Sequence, residues 1–390
     1  MPLINSLSQN LDDIKAWRHD IHAHPELQYD VHRTAGLVAD KLREFGCDEV
    51  VTGIGQTGVV GVIRGQKSQS GKVIGLRSDM DALPIQEARD IPHKSTVPGK
   101  MHACGHDGHT AMLLGAAQHL AANRNFDGTV IVIFQPAEEG GAGGKAMVDD
   151  GMMERFGIQE VYGMHNVPGL PVGSFASNVG PLMAAADHIE IRVEGKGAHA
   201  ALPHEGVDTI VVATALVQAL QSIVSRNLDP IDQAVVSITQ IHAGDAFNVI
   251  PPVAELAGTV RTFMPETRDM VERRIEEICA GVAAAYGATI TPAYHRNYPA
   301  TVNHPAETDF ALDVAAGVVG KKSVDRNMAA MMGGEDFSFM LLERPGNFIF
   351  VGNGDTAGLH HPDYDFNDDC IPYGCSYWIS LAETAMPLTA

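Results

Sequence analysis

The sequence predicts an α/β protein, a mostly parallel sheet flanked by helices and interrupted by a smaller α+β domain. Three observations predict it. Up to about residue 180, short apolar runs alternate with helical patterns; from about Ala185 the rhythm changes to strands with one polar face; after Pro299 the first style returns. At 390 residues the chain is long for one core and comfortable for two domains of roughly 100–250 residues. The boundaries read as 1–184 and 298–390 for one discontinuous domain, with 185–297 inserted into it.

The elements follow in order. Leu11 to His22 reads as a helix, and Arg33 to Phe45 sets Leu37, Val38, Leu42 and Phe45 on one face before Gly46 ends it. Val59–Ile63, Val73–Leu76 and Val130–Phe134 are short apolar runs bounded by Gly, Asp or Pro, as buried strands are. Between the last two lies an Ala/Leu-rich helix, His109 to Ala122. Such alternation implies right-handed crossovers, with ligands outside the carboxyl ends of the strands.

In the insert, Ile189, Ile191 and Val193 alternate with polar residues. A helix from Val207 to Arg226 follows, then strands Ala234–His242 and Ala254–Phe263, a helix Glu266–Tyr286 and a strand Ala288–Tyr294. This β-α-β-β-α-β order is the ferredoxin-like plan. Beyond Pro299 come a helix from Thr308, a strand Phe348–Val351 and a last helix near Tyr373–Ala385.

Apolar residues make up 45% and charged residues 19%, enough for a core and without a disorder signature. Lys+Arg number 27 against 48 Asp+Glu, a net charge of −21, which speaks against nucleic-acid and anionic-membrane partners. The longest apolar stretch, Ile210 to Val224, is broken by Gln218 and Gln221 and falls short of the ~20 residues of a membrane span. Met1 to Trp17 has no basic segment before an apolar one and carries Asp12 and Asp13, so no signal peptide is expected. Cysteines 47, 104, 279, 370 and 375 make no disulfide framework, and a reducing cytoplasm is the expected home.

Chemistry concentrates in two motifs. In Met101-His-Ala-Cys-Gly-His-Asp-Gly-His109, Cys104, His106 and His109 offer one soft and two borderline ligands on a glycine-bearing loop at a helix start. The same pattern fits a capping histidine beside an inert buried cysteine. Gln135-Pro-Ala-Glu138-Glu139-Gly places two adjacent carboxylates at a strand's carboxyl end. Burying both without a cation is costly, and a metal resolves this if one ligates and the other stays free to carry a proton. Two solvated loop glutamates are the plainer alternative. His165, His360 with His361, and the pair Asp79 and Asp81 also follow strand-like segments and could converge at one sheet edge.

These motifs resemble the amidohydrolase branch of the aminoacylase/carboxypeptidase metallopeptidases, which includes hippurate hydrolases, N-acyl-amino-acid deacetylases and plant auxin-conjugate hydrolases. The likeness runs through Leu-Arg-Ser-Asp79-Met-Asp81-Ala-Leu-Pro, His-Ala-Cys104-Gly-His106-Asp-Gly-His-Thr, Phe-Gln-Pro-Ala-Glu138-Glu139-Gly and Gly-Met-His165-Asn. It continues in Gly-Ala-His199-Ala-Ala, Ala-Phe-Asn248-Val-Ile-Pro, Gly-Thr-Val-Arg261-Thr, Met-Gly-Gly-Glu335-Asp-Phe and Leu-His360-His-Pro-Asp-Tyr. Nearly the whole chain is covered in the family's order.

The resemblance implies a zinc-exopeptidase-like catalytic domain and an inserted lid and dimerisation domain. It implies two divalent ions held by Cys104, His106, Glu139, His165 and His360 with a shared thiolate, the ions being Mn2+ or Zn2+, with Co2+ or Ni2+ compatible. Glu138 is then the general acid/base, and Asp81 orients a ligand. The lid contributes His199 as an oxyanion donor, in its own or a partner chain's site, and Asn248 and Arg261 as holders of a substrate carboxylate. A homodimer or dimer-based tetramer is implied. Two departures stand out: alanines (Ala198, Ala200) flank His199 where glycines are expected, which narrows the passage, and His361 follows the expected ligand His360.

The implied reaction is hydrolysis of the amide in an N-acetyl, N-benzoyl or aryl-acyl amino acid to a carboxylic acid and a free amino acid. A dipeptidase or carboxypeptidase using the same site is the alternative. A non-catalytic conjugate sensor would lack a ligand or Glu138, and all are present; a hydrolase using Cys104 as nucleophile would be insensitive to chelators. By itself Arg261 reads equally as one partner of a cross-strand ion pair. The acyl group and the amino acid are marked by no motif.

Overall fold

The computed structural model describes residues 10–388. The N-terminal segment read above for a leader lies, up to residue 9, outside them. The chain forms two compact units: one carries the residues up to Leu182, Val302–Ala329 and those from Asp336 on, the other Met183–Thr301 and Ala330–Glu335.

The larger unit opens with helices α1 (Leu11–Ala23) and α2 (His32–Glu44). Strands β1 (Glu49–Ile54), β2 (Gly58–Arg64) and β3 (Val73–Asp79) follow, then helix α3 (His106–Asn123), β4 (Thr129–Gln135), β5 (Glu160–Val167) and β6 (Phe175–Ala176). The smaller unit contains β7 (Ala185–Glu194), β8 (Ala198–His199), helix α4 (Thr209–Leu220), β9 (Ala234–Ala243), β10 (Val249–Ile250), β11 (Val253–Thr262), helix α5 (Pro265–Tyr286) and β12 (Thr289–Tyr298). Back in the larger unit come α6 (Pro305–Val319), β13 (Val324–Asp325), β14 (Gly346–Gly352) and α7 (Ile371–Ala385).

The large sheet has the order β1-β2-β4-β3-β5-β14-β6-β13. Its centre is parallel: β4 with β3, β3 with β5 and β5 with β14. Its first strands, β1 and β2, run antiparallel. β1 escaped the sequence reading because it is an edge strand, mostly solvated and kinked by a register shift near Gly53, so it shows no apolar run. Helix α3 is nearly wholly buried on every side, its polar first turn from His106 to Thr110 included, as a helix enclosed by its neighbours must be. Its Leu113, Leu114 and Leu120 join Val132, Leu76, Ile349 and Trp378 in one core.

The smaller unit has the sheet order β9-β11-β7-β12, antiparallel throughout, which is the ferredoxin-like arrangement. Ile189, Ile191 and Val193 face inward from β7, beneath Val212 and Leu216 of α4 and Val271 and Ile275 of α5. The apolar stretch judged too short for a span lies in a continuous helix, Thr209–Asn227, that is long and apolar enough by length and composition to cross a membrane (mean hydropathy 1.4). It buries Val212, Ala213, Leu216, Leu220 and Ile223 in the unit's core, while Ile210, Val211 and Val224 stay exposed.

Candidate metal centre

Strands β4, β3, β5 and β14 lie side by side and point the same way, so their carboxyl ends share one edge. Asp79 ends β3, with Asp81 two residues on; Glu138 and Glu139 follow β4; and His360 sits in the loop after β14. His165 lies inside β5, not beyond it, since the strand continues to Val167. Helix α3 begins at His106, so Cys104 precedes it and His109 lies one turn in rather than opening it.

The backbone turns that aim these groups are tight. Ala137 and His360, both non-glycine, hold φ of +54° and +62°, a conformation with a steric cost that persists where surroundings impose it. The turn at Ala137 leads directly into Glu138 and Glu139, whose backbone N–H groups reach Asp81. Gly105 has φ +94°, and a Cβ there would meet Asn166 Nδ2 at 2.2 Å and the Tyr364 hydroxyl at 2.5 Å. Only glycine lets the Cys104 loop press so close.

Asp81, 1% exposed, accepts the backbone N–H of Glu138 at 2.9 Å and of Glu139 at 3.1 Å. Its Oδ1 also lies 3.5 Å from His106 Nδ1. His165 Nδ1 donates to the Asn166 carbonyl at 2.6 Å, which leaves the Nε2 lone pair facing Cys104 Sγ at 3.3 Å. Glu139 Oε1 lies 3.3 Å from His360 Nε2 and 4.0 Å from His106 Nε2.

The electrostatics follow from burial and crowding. Burial and the nearby Glu139, Glu138 and Asp79 carboxylates push the Cys104 thiol well above its ordinary value. Burial, reinforced by the neighbouring His109, holds His165 well below the usual histidine range, so its imidazole is neutral and able to ligate. Burial alone would lower His106 too, but the Asp79 and Asp81 carboxylates override it and raise His106 to about 10.

The site therefore gathers more anionic and lone-pair donors than it has cations. Both ring nitrogens of His106 and Oε1 of Glu139 are buried without a hydrogen-bond partner. Two donor sets stand out, Cys104–His106–His165 and Cys104–Glu139–His360, each with its ligand atoms within 4.8 Å of one another. Divalent cations fit these sets, since thiolate, imidazole and carboxylate would each gain the partner that burial denies them.

Residues not singled out from sequence hold this arrangement. Asn166 Nδ2 donates to the Cys104 carbonyl at 2.7 Å, and its Oδ1 accepts from the Tyr364 hydroxyl at 2.7 Å. His360 N donates to the Ala103 carbonyl at 2.8 Å, tying the two loops together. Below them Arg77, wholly buried, bridges Asp79 at 2.7 Å and Asp336 at 2.9 Å, and Asp336 accepts from Gly144 N at 2.8 Å. His109 donates to Asp79 at 2.7 Å and its Nε2 accepts from Asn166 N at 2.9 Å, so it orients its neighbours. The Asp336 signal lay beside Glu335 in the quoted motif; Asn166 followed His165 directly.

His199, Asn248 and Arg261 belong to the smaller unit. There His199 pairs with Val249 across β8 and β10, and Ala200 N donates to the Asn248 carbonyl at 3.0 Å, so the fold brings His199 and Asn248 together in an exposed corner. Arg261, half-buried on β11, donates to Thr259 Oγ1 and to the carbonyl of Val260 at 3.0 Å. The nearby Asp187 carboxylate is taken by Arg268, Tyr294 and the Asn297 N–H. Arg261 thus bonds neutral acceptors, and the cross-strand ion pair open to it in sequence is not formed.

Over 382 residues the chain is 44% identical to the hippurate hydrolase of Campylobacter jejuni, covering 98% of this chain and 99% of that protein. It is 39% identical over 366 residues to the N-acetylcysteine deacetylase of Bacillus subtilis, 94% of each chain being covered. Among solved structures it resembles the Bacillus subtilis YxeP protein, described as a dinuclear metal binding peptidase, with a TM-score of 0.84, 35% identity and coverage of 97% and 99%. The model of peptidase family M20/M25/M40 matches residues 75–384, which span the whole cluster from Asp79 to His360. On these grounds, the chain belongs to peptidase family M20/M25/M40.

Proposed function

We propose that this hydrolase is a metal-dependent amidohydrolase that cleaves N-acyl amino acids, N-benzoyl or N-acetyl among them, to a carboxylic acid and a free amino acid. One observation carries the reading: two donor sets share Cys104 at the edge where Glu138 also stands, which is the arrangement of a dinuclear hydrolytic site. The names of the hippurate-hydrolysing and N-acetylcysteine-deacetylating relatives support the substrate class.

In this reading Cys104, His106 and His165 hold one ion, and Cys104, Glu139 and His360 the other. Mn2+ or Zn2+ suits such a mixed set, and Co2+ or Ni2+ is compatible. Bound there, the ions supply Lewis-acid polarisation of the scissile carbonyl and a lowered pKa for the attacking water. Glu138 accepts the proton that water loses and delivers it to the leaving amine, one carboxylate serving both steps. Asp81 keeps Glu138 and Glu139 aimed by holding their backbone N–H groups. The smaller unit serves as a lid: His199 donates to the developing oxyanion, and Arg261 with Asn248 grips the substrate carboxylate through the guanidinium fork. That Arg261 is spent on no carboxylate of its own unit supports this role. We further infer a cytoplasmic homo-oligomer assembled through the smaller unit.

The test is a panel of N-benzoyl, N-acetyl and aryl-acyl amino acids beside dipeptides, assayed on metal-reconstituted protein. Turnover of the acyl amino acids in preference to dipeptides is expected. Cleavage of peptides alone would overturn the substrate assignment.

A further inference from the structure

The smaller unit's sheet has one face covered by α4 and α5 and one face open. On the open face His188 of β7 and His295 of β12 stand directly opposite in register, and their rings stack at 4.3 Å with 17° between planes. Glu190, two residues along β7, projects on the same face, because side chains two apart in a strand share a side. Its Oε2 lies 4.0 Å from His295 Nε2. The three residues present ligand atoms within 4.8 Å of one another.

Glu190 is otherwise poorly served. Its register neighbours are Ala257 and Ala293, so no Lys or Arg faces it across either flanking strand. The nearest cation on its own strand, Arg192, pairs with Glu194 and with Glu255 at 2.6 Å. Beside the cluster, on the side away from the two histidines, Ala257 and Ala293 border a groove of about 490 Å3 lined also by Glu190, Arg192, His242 and Glu255. Stacked imidazoles gain little from each other in water, and once protonated they repel. A cation between them and the carboxylate reverses that balance.

We propose that His188, Glu190 and His295 form a metal site of their own, separate from the Cys104 cluster, for one borderline divalent ion of the Zn2+ class. Two imidazoles and a carboxylate are the donors such ions prefer, and three protein ligands leave a fourth position to solvent. Glu190 and His295 are exposed and His188 half-buried, so the side chains have room to adjust around an ion. Asn297 Nδ2 lies 3.1 Å from His188 Nδ1, so a flip of that amide would let its oxygen accept from the ring N–H and fix the liganding tautomer. Because β12 is the sheet's edge strand, a bound ion would pin the edge to the centre.

The experiment titrates ZnCl2 into the enzyme already loaded with its catalytic metals and counts bound zinc by elemental analysis after equilibrium dialysis. Wild type should bind one more equivalent than His188→Ala/His295→Ala. Glu190→Gln, which keeps both rings, should weaken that extra equivalent by at least tenfold. All variants should keep wild-type hydrolysis and the same melting temperature in zinc-free buffer, showing that they fold. Zinc should raise the melting temperature of wild type but not of the double variant. Equal zinc uptake by wild type and double variant, whether none or adventitious binding elsewhere, would overturn the proposal without touching the hydrolase reading.

Discussion

Asp81→Asn is the sharpest probe of how the centre is held. The native carboxylate is 1% exposed and spends both oxygens on the backbone N–H groups of Glu138 and Glu139, at 2.9 and 3.1 Å. Asparagine offers one oxygen and one NH2, so one of those N–H groups must face a donor. Orphaning a buried N–H costs roughly 1–3 kcal/mol, and the surviving bond, no longer charge-assisted, loses about 1 kcal/mol more. Unfolding of the chelator-treated protein in urea should therefore show a loss of about 2–4 kcal/mol. The same defect displaces the peptide that aims Glu138, and a misplacement of about 1 Å can cost 10²-fold in rate. kcat/KM on the N-acyl amino acid that wild type turns over best should fall by about that factor or more even at saturating metal. An Asp81→Asn protein with unaltered urea midpoint and near wild-type kcat/KM would show that the carboxylate does not hold the loop.

Other outcomes follow from the same geometry. Glu138→Gln should keep its metals and lose about 10²–10⁴-fold in turnover, whereas Glu139→Gln should lose metal, as read by elemental analysis; the reverse pattern would exchange their roles. Arg261→Ala should cost about 2–5 kcal/mol in kcat/KM for an N-acyl amino acid and far less for its amide. Equal losses on acid and amide would make Arg261 a structural residue of β11. His22 is buried, which alone would lower it, yet the Asp107 carboxylate raises it to about 9. A raised histidine stabilises fully below its unfolded value of 6.5 and loses that contribution as pH rises through 9. Across that window wild type should thus lose about 3 kcal/mol more unfolding free energy than His22→Gln; parallel pH profiles would contradict the pairing.

Local chemistry was legible where residues adjacent in sequence act together. The Cys104–His106 loop and the Glu138–Glu139 pair sit at strand and helix ends that apolar periodicity marks, so their convergence at one sheet edge could be read from alternation and handedness. The β-α-β-β-α-β order likewise announced the ferredoxin-like unit. Periodicity failed where burial gives no contrast: the solvated edge strand Glu49–Ile54 and the two-residue strand that carries His199 bury too little to leave a pattern.

What only the tertiary structure decided is the web beneath the metal ligands. Arg77 meets Asp336 across 259 positions, and Tyr364 meets Asn166 across 198. No spacing rule reaches so far, because such partners are chosen by where the assembled sheet and its loops deposit them. Burial then decides their worth, since a charged or polar group out of water must find a partner wherever the fold supplies one. The same holds for His188, Glu190 and His295: in sequence a histidine near a glutamate with another histidine far away, in space one cluster, because antiparallel pairing of β7 with β12 sets the two rings opposite each other.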